Sequence, residues 1–246
     1  MKVNEQEKQQ TRVKLLEAAV DVITEKGFKS ASMREIARRA GVGDATIYNY
    51  FPTKEKLLYG YGELVQQRVM AELKAIENFH EYTLHEQLHQ LVEAEIQAWL
   101  PAREYLQQVF EMTFATPVAG YEHLAETRRL FTAMVVDMLD AAVEAGEIPE
   151  QPYQDLLPRL FWDFVSAILG YWLRDTSEGF ANTTQVVDRS MDIVVQLLKG
   201  GVVGKTLDLC SFLFRTHLLQ HLGSLNDFKE EPDLAKAKRR FMEGES

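Results

Sequence analysis

A chain of 246 residues with 46% hydrophobic and 26% charged side chains is long enough to bury a core, which excludes a disordered segment. Cys210 stands alone, so an internal disulfide framework is excluded and a cysteine-based zinc site is not expected. The net charge of −10 argues against a nucleic-acid partner only if the charge is evenly spread, and it is not: residues 1–60 carry 11 Lys and Arg against 8 Asp and Glu. A basic end sits on an acidic body. No run of eighteen apolar residues occurs and the first residues lack the apolar core of a secretion signal, so a cytoplasmic location without membrane insertion is expected.

Helical periodicity runs through the sequence, and no alternating strand pattern competes with it, so the expected fold class is all-α. Leu16, Ala19, Val20 and Ile23 share one face of a first helix expected over about 10–26, with Gly27 as its stop. Ser32 and Glu35 have capping-box spacing and open a short second helix whose Ile36, Ala37 and Ala40 turn inward. Gly41 permits a tight turn, Val42 buries, and residues 44–49 are just long enough for a third helix before Phe51 and Pro52. Two short helices joined by a glycine turn make a helix-turn-helix.

Thr53 is the expected cap of a fourth helix carrying Leu57, Leu58, Tyr61, Leu64, Val65 and Val69 inward to about Asn78. Six further helices are expected, over 84–100, 102–116, 119–145, 152–176, 183–199 and 205–223, separated by Pro101, Pro117, the run from Gly146 to Pro149, Gly179 and Gly200-Gly201. The expected organisation is a helix-turn-helix DNA-binding domain over 1–53, a helical body over 54–225 and a charged tail over 226–246.

The run Ala31 to Val42 and the run Ala45 to Leu58, including Ala45-Thr46-Ile47-Tyr48-Asn49-Tyr50-Phe51-Pro52-Thr53-Lys54, closely resemble the TetR/AcrR regulators. The likeness covers about the first quarter of the chain. It implies a three-helix DNA-binding head, a ligand-binding and dimerising body, and a homodimer that reads two half-sites of double-stranded DNA. By this resemblance Thr46 and Tyr48 contact phosphate or base edges, Asn49 reads bases or a neighbouring phosphate, Tyr50 and Lys54 hold the backbone, and Ser32 and Arg34 bind beside the first turn of the second helix. Gly43 and Asp44 complete the expected DNA-facing set, although the family often has Ser or Thr at the first and the second adds a negative charge near the groove. Ile47, Phe51, Ile36 and Val42 are expected to be core, whereas Tyr48, Asn49 and Lys54 have no evident packing duty. The helices expected over 152–176 and 183–199 are those the resemblance implies for dimerisation.

For the body, aromatic and Met side chains suit a pocket for a bulky apolar effector: Trp99, Phe110, Phe114, Phe131, Met134, Met138, Trp162 and Trp172. A shorter stretch, Trp172 to Ser177 followed by Leu207-Asp208, is similar to Coq9-type lipid-binding proteins. That likeness suggests the alternative of a lipid-binding accessory protein without DNA activity. His85 with His89, and His217 with His221, stand four apart at metal-compatible spacing, but no third ligand accompanies either pair and no metal is expected. Gly200 to Thr206 imitates a phosphate-binding loop but lacks its leading glycine and its strand. No nucleophile, acid pair or cofactor motif emerges, so neither an enzyme nor a cofactor is expected.

Overall fold

The computed structural model describes residues 5–150, 155–201 and 205–206. These residues are helical with short turns, and no strand occurs among them. The chain up to Lys199 forms one compact unit, and from Gly200 onward it forms a second, of which the described part is a turn closed by Lys205 N–H on Gly201 O. Cys210, His217, His221 and the expected helix and tail beyond residue 206 lie outside the described residues.

The head is built from α1 (Glu5–Ser30), α2 (Met33–Arg39) and α3 (Asp44–Tyr50). α1 buries Leu15, Leu16, Ala18, Ala19, Val22, Ile23 and Phe28, and Val20, expected inward, is only half-buried. Gly27 does take positive φ, 76°, but it kinks the helix instead of stopping it, because Phe28 to Ser30 resume a helical turn. Ser32 caps α2 by accepting from Glu35 N–H at 3.3 Å. The expected return bond is not made: the Glu35 carboxylate turns to Lys26 instead, an ion pair between α2 and α1.

Gly41 ends α2 with φ 71°, a conformation costly for any residue with a Cβ. Around it Gly41 N–H donates to Arg38 O and Val42 N–H to Ala37 O, so the last carbonyls of α2 are satisfied. Val42 and Ala40, expected as core, are half-buried, because the same turn lifts them to the rim. α3 is capped by Gly43 without a side-chain bond, as a residue lacking a hydroxyl requires.

Thr53 caps α4 (Lys54–Ala75) by accepting from Lys56 N–H, and all six apolar residues expected inward are buried. α4 ends three residues earlier than its periodicity suggests, with Asn78 in a left-handed conformation just beyond. α5 (Leu84–Trp99) starts at a complete capping box that sequence reading passed over, Thr83 with Glu86. α6 (Arg103–Ala115) follows a short turn at Pro101. The single long helix expected over 119–145 is two, α7 (Pro117–His123) and α8 (Ala125–Glu144), broken at Leu124. α9 (Leu157–Trp172) is shorter than expected at its described C-terminal end, and α10 (Ala181–Lys199) begins two residues early.

Asp175 sets the corner between α9 and α10. Its buried carboxylate accepts from the backbone N–H and hydroxyl of Ser177 and from those of Thr183, all within 2.6–2.9 Å. The hydroxyl bonds of Ser177 and Thr183, stronger than the opposing burial, hold this carboxyl well below the usual carboxylate range. The stretch that is similar to the lipid-binding proteins is therefore a structural corner. Arg103 reinforces it by donating to the carbonyls of Trp172, Leu173 and Asp175.

Candidate DNA-reading head and ligand cavity

In α3 a single buried residue, Ile47, pins the helix to the head, and Phe51 packs just after it. Helical geometry then turns Asp44, Tyr48 and Asn49 outward; Tyr48 is 49% exposed, high for an aromatic ring. Ser32, Arg34 and Gly43 are exposed as well, while Thr46, Tyr50 and Lys54 are half-buried. Eight of the nine residues expected at DNA thus lie on or beside the outer faces of α2 and α3. The negative charge of Asp44 has a local partner, Arg34, at 3.7 Å.

Lys54 is the ninth, and it has a duty the sequence did not disclose. Its ammonium donates to the carbonyls of Phe28 (2.6 Å), Ala31 (2.9 Å) and Lys29 (3.3 Å) and lies 4.4 Å from the centre of the Phe28 ring. It thereby fastens the end of α1 to the start of α4. Carbonyls at a helix C-terminus attract a cation for the same reason. Much of the remaining basic charge of the head is also engaged: Arg39 with Glu25 and Asp21, Arg12 with Glu63, Lys26 with Glu35. Lys14, Lys29, Arg38 and Lys56 remain exposed.

Behind the head, helices α4 to α9 line a cavity of about 220 Å³ that opens to solvent beside Phe114 and Tyr121. Of the residues expected at a ligand, Trp99, Phe110, Phe114, Phe131 and Trp162 line it together. Met134 and Met138 do not; they line a separate surface hollow with Lys74 and Phe79. Trp172 is fully buried elsewhere, edge-on to Phe180 and beneath the Arg103 guanidinium. Their periodicity is that of the cavity residues, and only the chain path separates them.

The cavity wall also carries polar groups that periodicity did not single out. Glu95, Gln66 and Thr127 are all at least 97% buried, and Gln66 Nε2 donates to Glu95 Oε1 at 2.8 Å. Burial pushes the Glu95 carboxyl up to about 7, against the opposing hydrogen bonds from Gln66 and Trp99. Their signal was a polar residue at a core position: Gln66 follows Val65 and precedes Val69 on the inner face of α4, and Glu95 lies between Leu91 and Trp99 on that of α5.

The histidine pair of α5 faces α10. His85 and His89 each meet an aspartate there, Asp192 at 3.0 Å and Asp188 at 2.8 Å, and so tie α5 to α10. No metal-holding group of three ligands occurs among the described residues. No helix among them is long and apolar enough to cross a membrane.

Comparison with known proteins agrees with this anatomy. The family described as bacterial regulatory proteins, tetR family, matches residues 15–59, and the tetracyclin repressor-like C-terminal domain matches residues 87–213, about half the chain. Among curated relatives, the transcriptional regulator LuxR of Vibrio harveyi is 27% identical over 73% of this chain and 86% of its own. The regulator UidR of Escherichia coli is 36% identical over 30% of this chain and 38% of its own. Among solved structures, GusR of Salmonella enterica superposes with a TM-score of 0.60 at 21% identity, covering 81% of this chain and all of its own. FadR of Bacillus subtilis in complex with stearoyl-CoA does so with a TM-score of 0.56 at 21% identity, over 77% and 98% of the two chains. Head, body and sequence agree, and the chain belongs to the TetR family of DNA-binding transcriptional regulators.

Proposed function

We propose that this regulator is a repressor that binds a palindromic operator as a homodimer and is released when a bulky apolar molecule enters the cavity. The observation that carries the reading is the continuity of α4. Its first residue, Lys54, fastens the head, and over the next three turns or so Leu58, Gly62 and Gln66 form a wall of the cavity. A ligand that moves this wall moves the reading helix. In this reading residues 1–53 bind DNA, residues 54–225 sense and dimerise, and residues 226–246 are a tail.

One helix-turn-helix makes few base contacts, so two half-sites are needed for a specific operator. The body offers a surface for pairing: Leu160 and Tyr171 on α9 and Ile193 and Leu197 on α10 are exposed apolar residues. A protein of similar fold in complex with stearoyl-CoA supports a ligand here without naming it.

The test is binding of the purified protein to DNA flanking its own gene at two salt concentrations, beside a Tyr48→Ala, Asn49→Ala double variant. The expected result is saturable binding that weakens with salt, a 2:1 complex of protein to duplex, and loss of specific binding in the variant. Absence of a specific complex on flanking and on randomised DNA at low salt would overturn it.

A further inference from the structure

The cavity wall is largely apolar, and its deepest polar groups are Glu95, Gln66 and Thr127. The lining includes two acids, the buried Glu95 and the exposed Asp163, and no lysine, arginine or histidine. Beside Glu95, Gln66 Oε1 and Thr127 Oγ1 are buried without a hydrogen-bond partner in the protein. A buried acceptor left unpaired carries the full cost of its desolvation, so an occupant that supplies donors gains what the empty wall lacks.

We infer that the cavity takes an amphiphile whose apolar body lies among Trp99, Phe131 and Trp162 and whose primary ammonium end is held by Glu95, Gln66 and Thr127. The inference rests on the reading of the cavity as the effector site. An ammonium presents three donors and no acceptor, which matches a carboxylate, an amide oxygen and a hydroxyl. Aromatic faces nearby favour the same charge. A carboxylate or phosphate end would meet Glu95 with no cation to offset it, and a purely apolar occupant would leave both orphaned oxygens as they are. The three polar residues come from α5, α4 and α8, so a bound ammonium draws three helices together, α4 among them.

The test uses three probes with one apolar body, 4-phenylbutylamine, 4-phenylbutanol and 4-phenylbutyrate, titrated at pH 8 into the full-length protein. Quenching of tryptophan fluorescence is the readout, since two of the three tryptophans line the cavity. The amine is expected to bind at least about tenfold more tightly than the alcohol, with the acid weakest. Glu95→Gln is expected to bring amine and alcohol within about threefold of each other, and Thr127→Val to weaken the amine by a few fold while retaining its preference. An acid that binds as tightly as the amine, or a preference for the amine that survives Glu95→Gln, overturns the inference. The titration contains no DNA, so a failure of the regulator reading registers only in the operator experiment and a failure of the ammonium assignment only here.

Discussion

The carboxyl of Glu95 makes the stability of the body depend on pH in a direction opposite to most acids. Buried on α5, it keeps its proton until about pH 7, whereas in the unfolded chain it loses it near 4.5. Between those values the folded state binds more protons at this group, so its contribution to stability is fully present below pH 4.5 and is lost as pH rises through 7. The interval between the two values corresponds to about 3 kcal/mol at pH 8. Glu95→Gln keeps the shape, retains an acceptor oxygen for Gln66 Nε2 and cannot ionise. It is expected to match the parent within about 1 kcal/mol at pH 5 and to exceed it by about 2–3 kcal/mol at pH 8. Urea unfolding followed by circular dichroism at both pH values measures this as a double difference, at one fixed protein concentration so that association cancels. Every other titrating group is common to the two proteins. A stability gap that does not change between pH 5 and pH 8 would refute the reasoning, because it would mean that the carboxyl is ordinarily hydrated in the folded state.

Three further outcomes follow from the head and the α9–α10 corner. Lys54→Met removes donors from three carbonyls and is expected to destabilise the protein by about 2 kcal/mol while leaving the salt slope of DNA binding unchanged; a slope reduced by about one at unchanged stability would instead place the ammonium on a phosphate. Arg34→Ala loses only an exposed pair with Asp44, so thermal stability should hold within about 0.5 kcal/mol, while DNA affinity falls and its salt slope drops by about one. Asp175→Ala deprives Ser177 and Thr183 of their acceptor and is expected to lower the melting temperature and to speed amide exchange in the first turn of α10; unchanged exchange at Asn182 and Thr183 would show that the corner holds without it.

The head was legible because its signals are local. A cap, a glycine in positive φ and an inward residue every third or fourth position act within a few residues of one another, and Ser32, Gly41 and Ile47 stand where those rules put them. Its misses have the same origin. Glu35 satisfies a capping box as sequence but finds Lys26 nearer, and Lys54 looks like a free surface cation because the carbonyls it serves are 23 to 26 residues away. The body was legible only as a set of helices. An aromatic or methionine at helical spacing reads the same whether it faces a cavity, as Trp162 does, a surface hollow, as Met138 does, or a corner, as Trp172 does. What distinguishes them is which helices meet, and the break at Leu124 that lets α7 fold back against α6 is written in no strong breaker. Buried polar residues were the better signal. Gln66 and Glu95 at inward positions cost free energy unless something uses them.

Under the proposed reading, a ligand in the cavity acts on the DNA-facing helices through what crosses between body and head. Two rods do. α4 is continuous from Lys54 to the cavity wall, and its fourth and fifth residues are fixed from the side by Tyr105 on α6, whose buried hydroxyl donates to Leu58 O at 2.8 Å. The second rod is α6 itself, which lines the cavity with Leu106, Val109 and Phe110 and touches α1 where Gln108 Oε1 accepts from Phe28 N–H at 3.3 Å. Phe28 is also the residue whose carbonyl and ring hold Lys54. Both rods therefore converge on the end of α1, so a ligand that spreads or closes α4 and α6 acts on one shared joint rather than on two independent ones. A ligand shifts the head only by its differential affinity for the two arrangements, and of the helices that line the cavity α4 and α6 are the ones that also meet the end of α1. Occupancy of Gln66 and displacement of Phe110 press on the rods, whereas contacts with Trp162 on α9 add affinity without leverage. The position of a ligand in the cavity, more than its tightness, then decides whether it moves the head.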